Sequence, residues 1–312
     1  MAATSCHALR LLPGLLLAAA AAYGSDPEPA PLFAGDEVIE VTLDAPLSGL
    51  MTQRPDKAEL TGSFAWAEPD GMEQRVEVKL RTRGNYRRDE EHCDFAPLRL
   101  NFRKGDVAGT VFDGQDKLKL VTHCRTWERE FRSIILREYL SYRLFRELSD
   151  VGYRVRLLNV TYFNTQSGND YTRYGFLIED NKAMSRRNGL KFAGKRFVTH
   201  DEYDRARQNL VQVFQYLIGN TEYSLTGPEP DKDCCHNADV LSADKAPPYL
   251  IVPFDFDFSG LVNAPYAQPN PKYPIRIVST RYYKGLCANN DLLPATLEVF
   301  RDKRDAIYDT IN

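Results

Sequence analysis

The stretch that most constrains the fold is Gln74–Arg83, where Val76, Val78 and Leu80 alternate with Glu77, Lys79 and Arg81. Successive side chains of an extended chain point to opposite faces, so this pattern suits a half-buried antiparallel strand and not a helix. Comparable segments are Glu37–Leu43, Lys57–Trp66, Pro97–Phe102 and Lys117–Thr122, set apart by the turn signals Pro69-Asp70-Gly71, Gly84-Asn85 and Asp113-Gly114. A helix is expected from Trp127 to Ser149, because Phe131, Ile134, Ile135, Tyr139 and Tyr142 recur at helical spacing. Glu138 falls on the same apolar stripe, and a carboxylate there requires a partner. Two strands (Arg154–Phe163 and Thr172–Glu179), a second helix (His200–Gly219) and a closing helix (Leu292–Ile311) complete the expected elements. Residues between Glu179 and Gly194 read as irregular, and Asn220–Asn237 as an acidic loop.

The 312 residues are 43% hydrophobic and 27% charged with a net charge of -3, an ordinary globular composition with no electrostatic reason to expect nucleic acid as a partner. At the start, His7 and Arg10 precede the apolar run Leu11–Ala22, followed by small residues. That pattern predicts a secretory signal over residues 1–24, a Pro-rich linker over 25–35 and one two-lobed unit over 36–312, with no transmembrane segment once the signal is removed. The expected location is therefore periplasmic or extracellular, where disulfides persist. Cys93 with Cys124, and Cys287 with either Cys234 or Cys235, are the plausible pairs; spacing alone does not decide connectivity.

The chemistry concentrates in Tyr249–Gly260, YLIVPFDFDFSG. Read as a strand, it would deliver Asp255 and Asp257 to one face and the flanking phenylalanines to the other. Two carboxylates at this spacing suit a hard divalent cation, which takes oxygen ligands; solvated acids at a strand end are the plainer alternative. The basic runs Arg81-Thr82-Arg83 and Arg87-Arg88 read first as solvated faces, and also as candidate phosphate contacts.

Several short motifs together resemble the CotH family, the spore coat protein H kinases. They are Arg83-Gly84-Asn85, Pro97-Leu98-Arg99-Leu100, Asn220-Thr221-Glu222, His236-Asn237 and Pro253-Phe254-Asp255-Phe256-Asp257. The resemblance implies an α+β, atypical protein-kinase-like fold, with an N-terminal antiparallel sheet lobe (about 36–180) and a mainly helical C-terminal lobe (about 181–312). It implies ATP-dependent phosphorylation of protein hydroxyls with Mg²⁺ or Mn²⁺, and hence a protein substrate. Asp255, Asp257 and Asn237 would hold the metal, and Glu222 and Asp255 would be the catalytic acids. Arg83, Arg99 and Lys119 would hold the nucleotide phosphates, with Glu138 paired to one of them and His236 orienting the loop.

Two departures matter. Glu222 stands where the family pattern has aspartate, and an insertion separates it from Asn237; Asp231 or Asp233 within the insertion could supply the acid instead. A catalytically silent, ligand-binding or envelope-structural protein is the alternative these departures favour. The DFD strand also resembles the first motif of haloacid-dehalogenase phosphatases, but too little chain follows it for a doubly wound sheet. No G-x-S-x-G elbow and no EF-hand loop is present.

Overall fold

The computed structural model describes residues 29–227 and 234–312. The expected signal and the inserted Asp231 and Asp233 lie outside them. The alternating segments do form strands: β1 (Ile39–Ala45), β2 (Leu60–Ala67), β3 (Glu73–Thr82), β4 (Leu98–Phe102) and β5 (Lys117–Val121). A short helix not anticipated from sequence, α1 (Leu47–Gln53), joins the first two. The long helix α2 (Ile134–Leu148) follows, then β6 (Val155–Asn164) and β7 (Asp170–Ile178).

These seven strands close into a barrel in the order β1-β2-β3-β4-β5-β7-β6. Its neighbours are antiparallel except at the seam, where β1 pairs in parallel with β6 from Ile39↔Leu158 to Ala45↔Asn164. Alternation decides what fills it. Leu43, Phe64, Leu80, Leu100, Leu118 and Leu158 point inward from successive strands and are fully buried. Closure leaves no unpaired strand edge. Gly62 is fitted to this packing, because a Cβ there would lie 2.5 Å from the Asp44 carbonyl oxygen. Leu32 and Phe33, within the stretch expected as linker, are also buried in the barrel core.

After the barrel come α3 (Asn181–Arg187), β8 (Lys191–Phe192), α4 (Arg205–Leu217), β9 (Ala238–Ser242), β10 (Leu250–Pro253), α5 (Leu293–Asp302) and α6 (Arg304–Ile311). β8, β9 and β10 make a three-stranded antiparallel sheet. A second core joins α2, α4 and this sheet to the outward-facing Phe176 and Ile178 of β7. β7 is thus buried on both faces, with Leu177 pointing into the barrel.

The expected kinase-like division into an antiparallel sheet lobe and a mainly helical lobe is overturned. β6 and β7 return to the first five strands and shut the sheet into a barrel, and the remainder of the chain carries its own sheet beside its helices. Among the described residues no helix is long and apolar enough to cross a membrane.

Cys93 and Cys124 form a disulfide with a Cα separation of 4.6 Å, as expected. The second pairing differs: Cys234 bonds Cys235, leaving Cys287 free and exposed. The first disulfide ties the β3–β4 connection to the residues following β5, reinforced by Phe95 N donating to the Cys124 carbonyl at 3.1 Å. Opening this 31-residue loop raises the entropy of the unfolded chain. Replacing both Cys93 and Cys124 by Ala is expected to cost about 3–4 kcal/mol of stability, read as a lowered urea midpoint with a raised m-value from the less compact unfolded chain.

Candidate functional site

A cavity of 740 Å³ lies between the barrel, α2 and the β9–β10 sheet. Seven of the eight sequence-selected residues line it: Arg83, Lys119, Glu138, Glu222, Asn237, Asp255 and Asp257. Arg99 does not; it sits on β4 as the cross-strand partner of Lys119.

The barrel supplies the cations. Arg83 follows β3 at the turn where Gly84 adopts φ +86°, and its guanidinium makes no hydrogen bond or ion pair among the described residues. Burial lowers its pKa, while Asp255 and Tyr142 raise it. Lys119 projects from β5, donates to Asn181 Oδ1 at 2.8 Å and lies 5.8 Å from the Tyr153 ring centre. Burial, followed by the positive charge of Arg83, pushes its ammonium down to about 8.

Glu138 has the partner that its place on an apolar stripe requires, though not one of those expected. It pairs with Arg87 at 3.3 Å, both side chains being buried. Arg87 is therefore an internal cation and not part of a solvated face. Its other amino group donates to the Thr122 carbonyl. Burial pushes the Glu138 carboxyl up to about 7, with Arg87 opposing and Asp255 adding to the shift. Burial also acts against the Arg87 charge, but Tyr266, Glu138, Asp257 and Asp255 outweigh it and raise its pKa.

The two aspartates do not share a strand face. β10 ends at Pro253, and Asp255 takes the left-handed conformation at φ +60°, which breaks the alternation. Phe256 is driven into the core against Tyr142, with ring centres 4.7 Å apart. Asp255 is exposed to the cavity, its backbone N–H donating to the Tyr142 hydroxyl at 2.9 Å. Asp257 is 5% exposed and accepts from the Tyr266 hydroxyl at 2.9 Å. Its carboxyl is held well above the ordinary range by burial first, then by Asp255 and Glu138, with Arg87 opposing.

The two ends of the insertion are joined to each other. Asn237 Nδ2 donates to the Glu222 carbonyl at 2.9 Å across 15 residues, and Ser224 N donates to the His236 carbonyl at 3.1 Å. Phe254 N donates to the Asn237 carbonyl at 3.1 Å, which sets Asn237 beside the DFD segment. The Glu222 carboxylate lies 3.8 Å from His236 Nε2. Sequence reasoning missed Asp239, which lines the cavity from β9 and accepts from the Tyr153 hydroxyl. The alternation of ADVLS was its one signal, in a stretch between the acidic loop and the DFD segment to which no element was assigned.

Among the described residues, no group of three or more His, Cys, Asp or Glu side chains could hold a metal ion. Asp255, Asp257 and Asn237 all line the cavity and carry oxygens of the kind that Mg²⁺ takes. A positive charge bound nearby would oppose the rise that burial, and then Asp255 and Glu138, impose on the Asp257 carboxyl. No family model matches the chain, and no curated protein does.

Breaking the buried pair leaves Glu138 uncompensated among acids. Arg87→Ala is expected to lower stability by about 3–5 kcal/mol, while Arg87→Met combined with Glu138→Gln recovers most of that loss in urea denaturation.

Proposed function

We propose that this chain is an exported phosphotransferase that moves the γ-phosphoryl group of ATP to a hydroxyl acceptor with Mg²⁺ or Mn²⁺. The observation that carries this reading is the presence, in one cavity, of Asp255, Asp257 and Asn237 with Lys119 and an Arg83 whose guanidinium has no partner among the described residues. An unpaired guanidinium and a half-buried ammonium suit phosphate oxygens, whereas the acids suit the cation that accompanies them. The likeness of the Pro253–Asp257 and Asn220–Glu222 motifs to the CotH family supports the same chemistry, and the Cys93–Cys124 disulfide is compatible with export.

Arg83 and Lys119 would bind and orient the phosphates, and Asn237, Asp255 and Asp257 would hold the metal, which neutralises charge on the transferring group when bound. Glu222 would take the acceptor's proton as the acceptor oxygen bonds to the γ-phosphorus and the bond to the ADP oxygen breaks. Its distance from His236 supports this role, since a nearby imidazole fixes the carboxylate without consuming it in a short ion pair.

With the purified chain, ATP and Mn²⁺ together are expected to raise the melting temperature, and labelled ATP to yield a phosphorylated acceptor. Asp255→Ala or EDTA should abolish both effects. A retained shift without transfer would identify a nucleotide-binding protein that is catalytically silent, and loss of neither effect in Asp255→Ala would reject the site.

The ammonium of Lys119 sets a pH dependence. Phosphate binding needs the protonated form, which prevails below a pKa of about 8 and is lost above it. Nucleotide affinity should therefore be level below pH 7 and fall by up to about tenfold per pH unit above 8. Lys119→Arg should flatten the profile in a calorimetric titration.

A further inference from the structure

A second cavity of 740 Å³ adjoins the first, and Glu222 and His236 line both. Its remaining walls come from the loop after α4 and from the Pro- and Tyr-rich stretch before α5, which contributes Tyr273, Tyr282 and Tyr283 to face Tyr223. Nothing in the phosphate chemistry above uses these groups.

The basin offers hydrogen bonds more than charge. Lys284 lines it, but its ammonium donates to the carbonyls of Thr221 (3.0 Å) and Tyr223 and rests 3.8 Å over the Tyr223 ring centre. That cation fastens the Glu222-bearing loop to the tyrosine wall and is engaged internally. Gln212, on α4, is 1% exposed; its amide nitrogen donates to the Lys284 carbonyl at 3.2 Å. Its Oε1 is buried with no hydrogen-bond partner. A buried acceptor left unsatisfied is costly, so a site lined by one calls for a donor from a ligand. Tyr273 and Tyr282 pack at 4.8 Å between ring centres, tilted by 33°, and give the basin an aromatic side.

Aromatic faces beside an unpaired amide oxygen match a neutral molecule that has C–H faces and many hydroxyl donors. An acidic peptide would need free cations. Lys284 is not free, and the basin otherwise holds only Lys272 against Glu222, apart from its histidines. We infer that this basin binds a saccharide and holds one of its hydroxyls toward Glu222 as the phosphoryl acceptor. The transfer rests on the function proposed above; the binding does not. The inference departs from the protein hydroxyl implied by the CotH resemblance.

The test separates the two. Calorimetric titration of the purified chain with xylotriose, cellotriose, chitotriose and maltotriose, without nucleotide, should give saturable binding of at least one. Tyr282→Ala, at a half-buried position, should weaken that binding at least tenfold, and Gln212→Leu should do the same where circular dichroism shows a native fold. Asp255→Ala should leave it unchanged. With ATP and Mn²⁺, the bound trisaccharide should gain one phosphate by mass spectrometry. Absence of binding by all four sugars at 10 mM, or binding indifferent to Tyr282→Ala, overturns the inference, as does phosphorylation of a Ser/Thr peptide mixture with no sugar modified. Sugar binding without any phosphoryl transfer would uphold the basin and count against the phosphotransferase reading alone.

Discussion

The parallel seam between β1 and β6 is the constraint from which the rest of the architecture follows. It joins residues 119 positions apart, such as Ile39 and Leu158, and converts a row of strands into a ring. Once closed, the ring needs its interior filled, and the alternating Val, Leu and Phe residues do that. The outer side of β7 then has nowhere to go except against α2, because Phe176 and Ile178 are as apolar as the residues facing inward. Burial of α2 on that side takes Glu138 out of water, and the site begins from that carboxylate.

Charge balance explains how the cavity is built. Glu138, Asp255 and Asp257 repel one another in a poorly solvated space, and Arg87 is the one guanidinium that is buried among them and paired. Arg87 therefore works as an internal counter-ion, held by the Thr122 carbonyl and by a loop that the Cys93–Cys124 disulfide secures. It stabilises the acids without fully neutralising them. Burial, with the neighbouring acids adding to it, raises the Asp257 carboxyl, and a positive charge bound in the cavity would oppose that rise.

The barrel strands were legible because period-two alternation is a local property: Val76, Val78 and Leu80 declare their face within five residues. Closure was not legible, since nothing near Ile39 specifies Leu158 as its neighbour. The same limit governs the site. Glu138 was recognisable as a carboxylate needing a partner, but the choice of Arg87 over Arg83, Arg99 or Lys119 depends on where the β3–β4 connection crosses α2. The DFD segment was found by composition and misjudged in conformation, because the alternation rule was extended past Pro253 into residues that have left the strand. Asp239 was missed for the reverse reason: β9 is short and emerges from a polar loop.

Backbone conformation ties these points together. Asn237 and Asp255 both take left-handed geometry, at φ +52° and +60°, and both line the cavity. Asn and Asp tolerate this region better than other non-glycine residues but still give up stability to occupy it. Glycine would relieve the strain at either place, as it does at Gly84 on the opposite wall. What glycine lacks is an oxygen-bearing side chain. The chain therefore retains an amide and a carboxylate at two strained positions linked through the Phe254 N–H and the Asn237 carbonyl, while a fully extended Phe254–Asp257 segment would have spared the strain. Left-handed geometry at non-glycine residues also occurs at Arg54, Lys245 and Asn263, so it is not peculiar to the cavity; what sets Asn237 and Asp255 apart is that both place an oxygen-bearing side chain on its lining.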